Sequence, residues 1–185
     1  MSGKYRKLYK RVINMLKFLS CALVLFSSTF LGFLKAADFE KREKILRCFI
    51  SDLEFIKNEI THLKTPIFEV LQKLGNSNGE TGAFYREVAE KFVQNKDVPL
   101  SEIFDAETDK INEYFPLKKG DGDGLHFLAR SLGKSDTDGQ SALILQAERA
   151  LNMRLDEAVS DKNKNARLYK SLGFYFGILL VIMFF

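Results

Sequence analysis

Two runs without a single charged residue lie near opposite ends of this 185-residue chain, and they constrain everything between them. The first is 18–34, FLSCALVLFSSTFLGFL, and the second is 171–185, SLGFYFGILLVIMFF. At about 1.5 Å of rise per residue, each forms a helix of roughly 25 Å, close to the ~30 Å hydrocarbon core of a bilayer. Leu168 and Tyr169 lengthen the second run, with the Lys170 ammonium reaching back to the headgroups. A helix buried in a soluble core shows a polar face, and 171–185 shows almost none. The expected layout is a basic N-terminal arm at 1–17, a transmembrane helix at 18–34, a soluble domain at 38–165 and a second transmembrane helix at 168–185. A cleaved secretory signal is the alternative for the first run, since basic residues precede it. Lys35-Ala36-Ala37 argues against cleavage, because it puts lysine where a small residue is wanted.

Charge divides along the same lines. All 24 acidic residues lie between Asp38 and Asp161, and 19 of the 28 lysines and arginines lie in 38–165. The middle is therefore net −5, and the overall +4 belongs to the termini. Such a domain repels phosphate, which excludes nucleic acid as its partner. Orientation by charge is divided. The basic arm favours an N-terminus in the cytoplasm, whereas Lys162, Lys164, Arg167 and Lys170 before the second span favour a cytoplasmic middle. Initiation at Met15 removes the conflict, leaving one lysine outside and Lys35, Lys41, Arg42, Lys44 and Arg47 inside. Cys21 and Cys48 do not make a disulfide framework, and free thiols fit a reducing compartment.

The middle is helical throughout. Leu46, Phe49, Ile50, Leu53, Ile56, Ile60 and Leu63 step by threes and fours. Thr65-Pro66 ends that helix and starts a second, with proline at a favoured first position and Ile67, Val70, Leu71 and Leu74 in one stripe. GNSNGETG at 75–82 is a loop, and Tyr85, Val88, Ala89 and Phe92 mark a third helix. Pro99 opens a fourth, expected to run through Ile111 to Phe115. A short helix holds Leu125, Leu128 and Leu132. Ser135 or Asp136 then caps the longest helix, whose face is Leu143, Ala147, Ala150, Leu151, Leu155, Ala158 and Val159. No proline or glycine interrupts 140–172, so this helix should continue into the membrane. The fold class is an all-α bundle of about six helices between two transmembrane helices.

No chemistry-bearing constellation is visible. His62 and His126 have no ligand spacing, and His62 fits a helix C-terminus. The stretches 121–132 and 136–147 begin like calcium loops but lack the glycine at position six and the glutamate at position twelve. There is no nucleotide or nucleophile motif. The expectation is a protein that is not an enzyme, with no metal and no cofactor. Gly173-Phe-Tyr-Phe-Gly177 is a GxxxG pattern in an apolar helix, where small residues four apart let a second helix approach closely.

With these residues laid out, the chain from Met15 onward resembles the stage III sporulation protein AB family. MLKFLSC resembles the usual start. Leu53, Glu54, Glu59 and Ile60, followed by Thr65-Pro66-Ile67, resemble one of its stretches. LARSLGKSDTDGQ at 128–140 resembles its LG.SD..GQ signature, and LYKSLG at 168–173 its C-terminal anchor. The 14 residues before Met15 and the bulky Phe174-Tyr175-Phe176 depart from the pattern. The resemblance implies a helical domain similar to the F-type platform proteins of type II secretion. It implies membership of the stage III sporulation A complex in the mother-cell membrane, linking mother cell and forespore. Implied partners are the other proteins of that complex, including its AA ATPase, besides membrane lipid. Glu54, Glu59, Thr65, Pro66, Ser135, Asp136, Gly139 and Gln140 are the candidate structural or interaction residues, and Gly173 and Gly177 the candidate membrane-packing pair. The alternatives are a membrane-tethered helical scaffold unrelated to sporulation and an exported helical domain.

Overall fold

A computed structural model describes residues 3–131 and 137–184, and all regular structure among them is helical. Helix α1, Gly3–Thr61, is one unbroken element of 59 residues. The apolar run at 18–34 and the amphipathic stretch from 38 are thus a single helix, since Lys35-Ala36-Ala37 are good helix formers. Its C-terminal part buries Ile45, Leu46, Phe49, Leu53, Ile56 and Ile60. The helix stops where Lys64 turns left-handed at φ 57°, and the Thr65 N–H closes back on the Glu59 carbonyl at 3.0 Å. Pro66 takes the N-cap of α2, Ile67–Asn76, one position before the first helical residue.

Helix α3 is Gly82–Gln94, so the connecting loop is only 77–81, shorter than the glycines suggest. Gly75 lies inside α2, where a Cβ would come within 2.8 Å of the Arg86 backbone. This glycine is a close-approach position between two helices and not part of the loop. The expected fourth helix is two: α4, Leu100–Asp109, and α5, Ile111–Tyr114, interrupted at Lys110. Thr108 contributes to the break, because its hydroxyl donates to the Phe104 carbonyl at 2.8 Å. The interruption brings Ile111 and Phe115 into the core.

Helix α6 is Asp123–Ser131 and α7 is Thr137–Asp161. The core face of α7 is Ile144, Ala147, Leu151, Leu155 and Ala158, while Leu143 and Ala150 are only partly buried. Gly139 and Gln140 sit in the first turn of α7 rather than in the turn before it. Ser135 and Asp136 lie outside the described residues. A five-residue π turn, Lys162–Ala166, then leads without a loop into α8, Arg167–Phe184. Helices α1 and α7–α8 each contain a stretch long and apolar enough to cross a membrane.

The chain divides into two compact units. One is Glu40–Ser160. Its core centres on Phe49, whose ring meets Phe84, Tyr85 and Phe115 edge-on at 5.7, 6.1 and 5.6 Å. Edge-to-face contacts of this kind suit the ring quadrupoles and add to the apolar burial. The other unit comprises the described residues up to Phe39 and from Asp161 onward.

Candidate functional site: a docking surface and the helices behind it

Within Glu40–Ser160 three buried ionic groups fix the helices that carry the surface. The first is Arg42, on α1. Its Nε donates to Asp121 Oδ2 at 2.8 Å and its Nη2 to Oδ1 at 2.9 Å, with both residues almost fully buried. The same carboxylate accepts the Lys118 N–H at 2.8 Å, so the 116–122 loop is tied to α1. Gly120 reverses that loop at φ 91°, and a Cβ there would lie 2.7 Å from the Arg154 guanidinium. Arg154 in turn donates to Asp123 at 3.0 Å. A two-pronged arginine–carboxylate pair supplies direction as well as attraction.

Glu107 of α4 is the second group. It is 2% exposed and receives Lys91 from α3 at 2.7 Å, Lys110 at 3.1 Å and the Tyr114 hydroxyl at 3.2 Å. Burial pushes its carboxyl up, but the two lysines outweigh it and leave the group below the ordinary range. Nearby, His126 of α6 meets Asp105 of α4 at 2.6 Å, and Arg130 donates to the same carboxylate at 3.0 Å. Burial raises the Asp105 carboxyl, and the histidine and arginine together bring it below its usual value. His126 is a structural tie between α4 and α6 in this arrangement.

Glu59 is the third, and here two of the sequence candidates come together. Its Oε2 accepts the Thr65 hydroxyl at 2.7 Å and Lys73 Nζ at 2.7 Å. The hydrogen bond from Lys73, followed by that from Thr65, holds the carboxyl below the usual glutamate range. Thr65 and Pro66 therefore define the α1–α2 corner, with Glu59 as its polar pivot. Glu54 is elsewhere on α1, exposed to solvent. Gly139 and Gln140 are on α7, apart in sequence and element from that corner. Among the described residues no group of three or more His, Cys, Asp and Glu side chains is placed to hold a metal.

This unit is net acidic: Glu40–Ser160 contains 22 acidic and 17 basic residues, a net of −5. Glu54, Glu69 and Glu102 are exposed on three different helices. Between α3 and α4 a shallow groove of about 290 Å³ is lined by Val98, Ile103 and Ala106 together with Lys91, Glu102 and the buried Glu107. Its lining combines apolar and charged side chains.

In the other unit, α8 packs antiparallel to the N-terminal part of α1. Gly173 lies against Gly32, where a Cβ on either would meet backbone atoms at 3.1 Å or less. Ser28 donates its hydroxyl to the Gly173 carbonyl at 2.7 Å. A Cβ on Gly177 would touch Ser28 Cβ and Leu25 Cα at 3.3 Å. Ala36 and Ala166 are buried in this unit, and Phe39 meets Tyr169 at 5.7 Å. Gly173 and Gly177 thus face a second small-residue series, Ser28-xxx-Gly32-xxx-Ala36, on α1. Ser28 and Gly32 of that series lie within 18–34, concealed in a run notable first for its lack of charge, and Ala36 lies just beyond it. Close backbone approach and a cross-helix hydroxyl bond are what hold apolar helices together where water supplies no driving force.

Known proteins share this architecture. A curated stage III sporulation protein AB from Bacillus subtilis (strain 168) is 24% identical over 170 residues, spanning 91% of this chain and 99% of that protein. A solved structure of a stage III sporulation protein AB superposes with a TM-score of 0.59 at 17% identity, covering 67% of this chain and 98% of that one, and so shares the fold. The family model for stage III sporulation protein AB matches residues 17–185. With its helical unit carried between two membrane-length apolar helices, the chain belongs to the stage III sporulation protein AB family.

Proposed function

We propose that the protein is a non-enzymatic platform subunit of the stage III sporulation A complex, a secretion-like assembly linking mother cell and forespore. Its helical unit faces the mother-cell cytoplasm and docks a cytoplasmic ATPase, the AA protein of that complex. The observation that carries this reading is an acidic helical unit rigidified by internal ion pairs and flanked by two membrane-length helices. Such a unit, joined in sequence to a membrane-length helix at each end, suits docking better than turnover. Lys35, Lys41, Lys44 and Arg47 on one side, and Lys162, Lys164, Arg167 and Lys170 on the other, flank the apolar runs where they meet this unit. With initiation at Met15, which leaves only Lys17 before the first span, this excess of lysine and arginine favours the cytoplasmic side for it.

Sidedness is tested with a single cysteine at Asn78, in the exposed 77–81 loop, in a background lacking Cys21 and Cys48. Protection from a membrane-impermeant maleimide in intact protoplasts, with labelling after lysis, is the expected result. Labelling of intact cells places the unit outside and removes direct ATPase contact. Docking is tested by Glu54→Lys, Glu69→Lys and Glu102→Lys together. The expected outcome is a folded, membrane-inserted protein that no longer co-purifies with the ATPase and arrests sporulation after engulfment. Normal co-purification and normal spores would discard the acidic surface as the docking element.

A further inference from the structure

Beside the crossing of α1 and α8, on one flank of that two-helix unit, runs an open apolar groove of about 770 Å³. Leu23, Val24 and Leu31 line it from α1, and Leu172, Phe176 and Leu180 from α8. At one end stand Lys35 and Tyr169. From Leu23 to Lys35 is about 18 Å at ~1.5 Å per residue, slightly more than the ~15 Å of a single leaflet of hydrocarbon. The groove is therefore one leaflet deep, apolar along its length and cationic at its mouth.

We infer that this groove is a binding site for an anionic phospholipid, with an acyl chain along the α1–α8 flank and the phosphate on Lys35. The inference rests on the reading of these helices as membrane spans. Among the described residues Lys35 is held by an exposed pair to Asp38 at 3.2 Å, an interaction of little net strength that a phosphate readily replaces. Within this unit the residues 35–39 and 161–170 include Lys35, Lys162, Lys164, Arg167 and Lys170 but only Asp38 and Asp161, five basic residues to two acidic ones. That surplus matches an anionic headgroup. It disfavours the other natural occupant, a second copy docked side by side in the same orientation, which would set the two surpluses against each other. Tyr169 completes the mouth with an aromatic ring and a hydroxyl at headgroup depth, the preferred station of that side chain.

The test uses the full chain in nanodiscs of phosphatidylcholine with and without phosphatidylglycerol, released into native mass spectrometry. Phosphatidylglycerol should remain bound in preference to phosphatidylcholine. Lys35→Glu removes one positive charge and adds one negative charge, so it should lower the bound fraction by more than the roughly fivefold effect of a single charge at an anionic surface. Lys96→Glu, the same charge change on an exposed residue of the other unit, should leave it unchanged. Leu31→Trp, which fills the groove from an exposed position, should lower it without changing helix content. Equal retention of both lipids, or retention indifferent to Lys35→Glu, overturns the site. A chain released as a lipid-free dimer that Leu31→Trp dissociates overturns it in favour of a second copy. Failure to float with phosphatidylcholine vesicles at all overturns the membrane reading, and this site with it.

Discussion

Arg42 and Asp121, 79 residues apart in sequence, form a two-pronged ion pair in which both partners are at most 3% exposed. Removing one partner leaves an uncompensated buried charge, which typically costs about 3–5 kcal/mol, whereas replacing both is far milder. Arg42→Met should therefore destabilise the folded unit by an amount in that range. Adding Asp121→Asn, which keeps an acceptor for the Lys118 N–H, should recover a large part of it. Thermal unfolding of the three proteins in detergent checks this. A double variant no more stable than Arg42→Met would show that the arginine acts through packing and not through the pair.

Glu59 gives a pH dependence with a definite sign. Its folded-state carboxyl titrates below the ordinary value because Lys73 and Thr65 donate to it. Its contribution is thus fully present above the usual glutamate range, near pH ~4.3, and is lost as pH falls through the depressed folded value. Glu59→Gln should be less stable than the parent at neutral pH and should lose less on acidification. Unfolding midpoints measured from pH 7 to pH 3 should converge at the acid end. Parallel curves would remove Glu59 from the acid response.

The α1–α8 crossing predicts a cross-link. A Cβ on Gly177 lies 3.3 Å from Ser28 Cβ, near the short end of the separation a disulfide requires. Ser28→Cys with Gly177→Cys, in a background lacking Cys21 and Cys48, should oxidise within one chain and run as a compact monomer on non-reducing gels. Gly173→Val, placed against Gly32 and Ser28, should abolish the link. Cross-linking only between chains would mean that these two helices pair between copies.

Phe49 and Leu63 separate core from surface between α1 and the turn that follows it. Phe49 is fully buried among three aromatic rings, whereas Leu63, just past the end of α1, is 67% exposed. Phe49→Ala should cost about 3–5 kcal/mol, as large-to-small changes of buried aromatics do. Leu63→Ala should stay within about 0.5 kcal/mol. Denaturant titration followed by tyrosine fluorescence distinguishes them.

Local features were the legible ones. Steps of three and four gave the buried positions Phe49, Leu53 and Ile56, and Pro66 and Pro99 marked helix starts to within a residue. Apolar length gave both membrane-length segments. Features that depend on distant partners were not legible. Nothing near Asp121 announces Arg42, and DGDG has the composition of a turn whether or not its aspartate is buried. Gly75 was misplaced in a loop because glycine is common in turns, whereas here it lets Arg86 approach α2. The break at Lys110 has no proline or glycine to signal it. It follows from where Ile111 and Phe115 are drawn by the rest of the core. Ser28 and Gly32 were visible as small residues, but their importance depends on what α8 sets against them.

The span of 79 residues between Arg42 and Asp121 also has a consequence in time. A ribosome adding about 5–20 residues per second needs roughly 4–16 seconds to reach Asp121 after making Arg42. For that interval the nascent helix carries a cation without its partner, a few residues beyond an apolar run already able to enter the bilayer. The guanidinium must wait in water or among lipid phosphates, and the unit can close over it only once the second half of the chain has emerged. The pair can thus form only after the first helix is already made, and it ties that helix to the 116–122 loop.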